Sequence, residues 1–158
     1  MTSTQAMLSR RKAFVGLKAC LHIIQKWRAT PSQACRIVRI SSHTYRRVLS
    51  GNGDSVRLNV DQLYRVSMVL NIHAALKMTF NNPLNVHQFP SLNNHNDFFN
   101  GRTPLEIMAQ GDFISLYETC RRIQSLPLIG FRDLDIDMQS YFSTNDTVSE
   151  PFSAEHLT

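Results

Sequence analysis

The chain has 158 residues, 42% of them hydrophobic and 18% charged, which suits one domain or two small ones and excludes a chain that is disordered throughout. No apolar run approaches the roughly 18 residues of a membrane span, and MTSTQAMLSRRKAF lacks the apolar block and cleavage site of a secretory leader; a cytoplasmic location with no membrane partner is expected. The net charge of +5 hides a strong asymmetry: residues 1–60 hold +10, while residues 127–158 hold −5, so the first part calls for a polyanionic partner, most simply nucleic acid.

Residues 1–11 read as a loose basic lead. From Lys12 to Trp27, Phe14, Leu17, Leu21, Ile24 and Trp27 recur at helical spacing. Thr30 then caps and Pro31 opens a second helix, PSQACRIV, with Ala34, Cys35 and Val38 facing inward. Ser41 caps a third, SHTYRRVLS, which ends at Gly51. After GNGDSVRLN, Asn59 caps VDQLYRVSMVL, whose inner side is Val60, Leu63, Val66, Val69 and Leu70, and a fifth short helix runs from Ile72 to Phe80. Pro83 to Asn100 reads as a long loop, either packed down by Phe89, Leu92, Phe98 and Phe99 or functional.

The next stretch, FFNGRTPLEIMAQGDF, is sharply punctuated. Thr103 and Glu106 form a capping box around Pro104, Gly111 stops the helix, and Asp112 caps FISLYETCRRIQSL. Phe113, Leu116, Tyr117, Cys120 and Ile123 would share one side of that last helix. In the tail, LDIDMQSYF alternates as a short strand or a partner-binding segment would, and STNDTVSE reads as disordered. The whole is expected to be all-α: a basic region 1–82, a small helical domain 83–126 and an acidic tail 127–158.

Catalytic and metal signals are weak. Cys20, Cys35 and Cys120 have no CxxC spacing, and the six histidines show neither HExxH nor a Cys/His cluster. There is no GxSxG, P-loop or GxGxxG. No enzyme, cofactor or metal is expected. The helices 31–38 and 42–50, joined by Arg39-Ile40-Ser41, have the form of a helix-turn-helix. Ser42, His43, Thr44, Arg46 and Arg47 would then face base edges, and Gln33 with the Ser32 amide a phosphate. An ordinary basic helical hairpin would look similar, and Arg39 stands where such turns often carry Gly.

The order of SHTYRRVLSG, DQLYRVSMVLNIHAAL and NGRTPLEIMAQGD resembles the Xre/MbcA/ParS family of antitoxins over about residues 17–126. The last of these segments is the most specific. The resemblance implies a bacterial antitoxin that binds its own operon DNA as a repressor and neutralises a cognate RES-domain toxin, an NAD⁺-consuming enzyme, by covering its active site. It implies toxin-binding roles for Asn100, Gly101, Arg102, Thr103, Met108, Asp112, Tyr117 and Arg121. Paired operator half-sites make a homodimer the expected state. Two further readings stay open: a stand-alone helix-turn-helix regulator with a C-terminal dimerisation module, and an immunity or interaction protein that has lost DNA binding. The chain also runs about thirty residues past the last helix, where family members commonly end. Its acidic DLDID segment is read either as a plug for a basic pocket or as a cover for the protein's own basic half.

Overall fold

A computed structural model describes residues 3–53 and 56–126; the LDIDMQSYF and STNDTVSE readings fall outside these residues. The fold is all-α. In chain order the helices are α1 (Ser3–Lys26), α2 (Pro31–Val38), α3 (Ser42–Leu49), α4 (Val60–Thr79), α5 (Pro83–Gln88), α6 (Pro104–Met108) and α7 (Phe113–Gln124), with a single 3₁₀ turn over Phe89–Ser91.

Local capping chemistry sets most of the boundaries. Thr30, Asn59 and Thr103 each cap a helix through a complete capping box, closed by Gln33, Gln62 and Glu106 respectively. Ser41 and Asp112 cap α3 and α7, accepting from the backbone N–H of Thr44 and Ser115. Each hydroxyl, carboxamide or carboxylate oxygen takes up an N–H that the first helical turn leaves without a partner.

Three expectations need correction. The lead is helical from Ser3, because residues 3–12 contain good helix formers and neither Gly nor Pro. The segments 60–70 and 72–80 are one 20-residue helix. Asn71 lies on its exposed outer side, where a weak helix former costs only a few tenths of a kcal/mol, while Val69, Ile72 and Leu76 keep the buried stripe continuous. The stretch 83–100 is no plain loop: Asn82 caps α5 and Pro83 occupies its first turn.

Inner faces also differ in detail. On α2 the buried residues are Ala34, Ile37 and Val38, and Cys35 is only half-buried. On α4, Val60 and Leu63 are exposed, and the first inward position is Arg65. On α7, Leu116, Thr119, Cys120 and Ile123 face in, while Phe113 and Tyr117 lie at the surface.

One core joins these faces. Leu17, Leu21, Ile24 and Trp27 of α1 meet Ile37 and Val38 of α2, Val48 of α3, Val69, Ile72 and Leu76 of α4, and Leu116 and Ile123 of α7. Residues on both sides of position 82 share it. Helices α4 and α7 run side by side in the same direction. Arg65 meets Gly111 at one end, the Cys120 thiol lies 3.9 Å from the Met68 carbonyl, and Leu126 shares a surface hollow with Ala75 and Met78 at the other.

Candidate nucleic-acid interface

The turn between α2 and α3 is built around Arg39. Its backbone is left-handed, with φ 57° and ψ 47°, the conformation that Gly would adopt without strain. Its N–H and that of Ile40 both return to the Cys35 carbonyl, closing α2. Helix α4 secures two further acceptors. Gln62 donates to the Arg39 carbonyl at 2.8 Å, and Arg65 donates to the Ile37 carbonyl at 3.1 Å. The turn therefore forms with Arg where Gly is common. Arg39→Gly is expected to raise stability by up to about 1 kcal/mol, read from urea unfolding. A loss instead would mean that the Arg39 side chain itself holds the turn.

At about 100° per residue, Ser42, Arg46, Ser50, His43 and Arg47 fall within one arc of roughly 140° on α3. Tyr45 and Val48 fill the opposite side and are buried. Ser42, His43 and Arg46 are exposed, with the Arg46 Nε donating to the Ser42 carbonyl at 3.3 Å. Arg47 is half-buried and reaches the Asn52 carbonyl at 3.4 Å. Thr44 is turned toward the cap, its hydroxyl 3.0 Å from that of Ser41. Gln33 also serves a cap, since its side-chain oxygen accepts from Thr30 N–H at 2.9 Å; only its amide NH₂ remains suited to donating toward a phosphate.

A second basic surface borders the start of α1. Arg10, Lys12 and Arg57 rim an open groove of about 550 Å³ floored by Val56, Leu63, Val66 and Leu70. Arg36 and Arg39 are exposed near the C-terminal end of α2.

The corner leading into α6 explains several residue types of the NGRTPLEIMAQGD segment. Asn100 and Gly101 have φ of 50° and 78°, and Arg102 N–H donates to the Phe99 carbonyl at 3.0 Å. Two positive φ values within such a closed turn are the type I′ pattern, for which Asn-Gly is the favoured pair. The Arg102 Nε donates to the same carbonyl at 3.2 Å, fixing an exposed side chain. Thr103 is half-buried in its capping box, with its N–H 2.8 Å from the Glu106 carboxylate.

Met108 corrects the expected toxin-facing set. It has no exposed surface and supports the corner from beneath, so it cannot meet a partner in this fold. Asp112 is exposed at the N-cap of α7, where hydrogen bonds from Ser115 hold its carboxyl below the ordinary carboxylate range. Tyr117 is exposed and stacks on Phe113, and exposed Arg121 lies 3.8 Å from Glu118.

These residues do not form one patch. The Arg102 turn sits beside Phe98 and Phe99, whose rings meet edge to face, and Arg122 lies over the Phe98 ring at 5.3 Å. Tyr117 stacks on Phe113, whose ring in turn lies under Arg65 of α4. Tyr117 and Arg122 are about 140° apart around α7. Arg122 has no local sequence signal, because its aromatic partner lies on a different element.

Gly111 links the corner to the paired helices. It has φ 88°, and a Cβ there would lie 3.4 Å from the Arg36 carbonyl oxygen at the end of α2. Gly111→Ala is expected to cost about 1–2 kcal/mol from backbone strain alone. An unchanged urea midpoint would show that the backbone at this position relaxes to accommodate alanine.

Burial raises the thiols of Cys20, Cys35 and Cys120, which keeps them protonated and poor nucleophiles at neutral pH. Among the described residues no three His, Cys, Asp or Glu side chains gather as a metal site, and no helix is long and apolar enough to cross a membrane. No family model, curated protein or solved structure was found to match the chain.

Proposed function

We propose that this protein is an antitoxin of the Xre/MbcA/ParS type, which binds operator DNA through α2 and α3 and neutralises a RES-domain toxin through its C-terminal half. The observation that carries the DNA half of the proposal is the left-handed turn at Arg39. It leaves the Ser42, His43, Arg46 and Arg47 arc outward on a short helix backed by Tyr45 and Val48. A helix presented this way fits a major groove, and the +10 charge of residues 1–60 supplies the sequence-independent attraction to phosphates.

The toxin half rests on the resemblance of NGRTPLEIMAQGD, and is supported by the rigid, exposed setting of Arg102. Asn100, Arg102, Asp112, Tyr117 and Arg121 are the surface residues of that set; Gly101 and Thr103 shape the turn and cap. The close approach of Gly111 to Arg36 gives toxin binding a mechanical route to the DNA-binding helices. In this reading the protein works in the cytoplasm as a homodimer.

The test is co-expression with the product of the neighbouring gene, followed by an assay of NAD⁺ consumption by that product. A stable complex in which NAD⁺ loss stops supports the reading, and Arg102→Glu is then expected to weaken inhibition. A partner that neither binds nor consumes NAD⁺ would leave a stand-alone DNA-binding regulator as the better account.

A further inference from the structure

A second cavity, of about 380 Å³, opens where the C-terminal ends of α1 and α4 meet α5. Lys26 of α1, His73 and Lys77 of α4 and His87 of α5 line it, with Phe80 and Val86 as an apolar wall. His73 and Lys77 are one helical turn apart and share a side of α4. Among the described residues the lining contains no Asp or Glu. Four groups able to carry positive charge therefore converge from three helices, with no carboxylate among the described residues.

The histidines are oddly placed for mere packing. Their rings lie nearly parallel, 7° apart, with centroids separated by 5.8 Å. The Nδ1 atoms of both are buried and have no hydrogen-bond partner among the described residues. Buried polar atoms without partners are uncommon, and like charges held together oppose folding. The exposed lysines can turn toward water, but the rings are fixed by α4 and α5. Burial, and then the charges of His87, Lys77 and Lys26, hold His73 below its ordinary value. An anion in the cavity would reverse the electrostatic part of that balance.

We propose that this cavity is a binding site for a small phosphate-type oxyanion, clasped by His73, His87, Lys26 and Lys77. Charge-assisted hydrogen bonds from imidazolium and ammonium groups suit tetrahedral oxyanions, and the concave, partly apolar wall suits a compact ligand better than a DNA backbone. Binding draws a proton onto His73, so affinity rises as pH falls. The charged or titratable groups facing His73 are Lys77 on its own helix, Lys26 on α1 and His87 on α5.

Sulfate is the cleaner probe, because its own charge is constant across the relevant range. Isothermal titration of sulfate into the full chain, at fixed ionic strength, should give one saturable site at pH 6.0 and about tenfold weaker binding at pH 7.5. Lys77→Met and His87→Gln should each weaken binding at pH 6.0 about tenfold. Arg46→Ala, on the surface of α3, should leave it unchanged. Lys77 is exposed, so its replacement tests the site even if the His87 variant folds poorly. Inorganic phosphate should compete with sulfate for the same site. Absence of saturable binding at pH 6.0, or binding untouched by Lys77→Met, would overturn the proposal.

Discussion

Arg65→Met is expected to destabilise the protein by about 3 kcal/mol, enough to remove a large share of the stability of a small domain. Arg65 is 1% exposed. Its guanidinium makes three hydrogen bonds: to Asp61 at 2.9 Å, to the Ile37 carbonyl at 3.1 Å and to the Gly111 carbonyl at 3.0 Å. Its Cζ also sits 5.8 Å from the centre of the Phe113 ring. Methionine preserves most of the packed volume, so the loss is mainly polar. The Asp61 side chain is 41% exposed and stays hydrated when its partner is lost, which makes the ion pair the lesser contribution. The two carbonyls dominate, since each loses a charged donor at about 1–3 kcal/mol, the buried Ile37 carbonyl more than the half-buried Gly111 carbonyl. Arg65→Lys should recover only part of the loss, because one ammonium cannot reproduce a planar fork aimed at three acceptors. Urea unfolding measures both variants. A cost below about 1 kcal/mol for Arg65→Met would show that the carbonyls find other partners.

The consequence is more than stability. Ile37 lies in the last turn of the first of the paired helices, and Gly111 ends the corner that carries Arg102. A single buried side chain thus ties the candidate DNA-binding face to the candidate toxin-binding corner. Gln62, one turn earlier on α4, adds a second tie at Arg39. Arg65→Met should therefore disturb both surfaces, whereas Arg102→Glu should disturb only its own.

What the sequence made legible follows the range of the forces involved. The caps at Thr30, Ser41, Asn59, Thr103 and Asp112 depend on neighbours within three residues, and each stands where its local pattern puts it. Arg65 was illegible because two of its acceptors lie 28 and 46 residues away. A charged residue beside Asp61 reads as a solvated pair until those carbonyls are seen. The same non-local packing turns Val60 and Leu63 outward. The turn at Asn100-Gly101 did have a local signal, the Asn-Gly dipeptide itself, which the reading of 83–100 as a loop passed over. Met108 was assigned to a surface because a sequence motif records which residue types recur, not which of them face inward. Arg39 shows the opposite error: its strained φ is sustained by α4, an element that the local pattern of the turn does not include.

Arg46→Glu should weaken binding to the protein's own promoter about 100-fold, yet shift stability by less than about 0.5 kcal/mol. The side chain is exposed, and among the described residues its hydrogen bond is to its own helix, so the fold hardly depends on it. In a major groove the same side chain would face base edges, where a good bidentate contact contributes about 1–3 kcal/mol and a carboxylate adds repulsion from phosphates. The basic rim of the α1 groove should behave differently. Replacing Arg10 and Lys12 together by Gln should weaken all DNA sequences alike and lower the slope of log affinity against log salt by about 2, one unit for each lost phosphate contact. Arg46→Glu should instead reduce discrimination between promoter and unrelated DNA. Titration of both DNAs at several salt concentrations separates the two effects. If Arg46→Glu binds the promoter as tightly as the parent chain, α3 is not the reading helix. The basic half would then be a phosphate-binding surface without sequence readout.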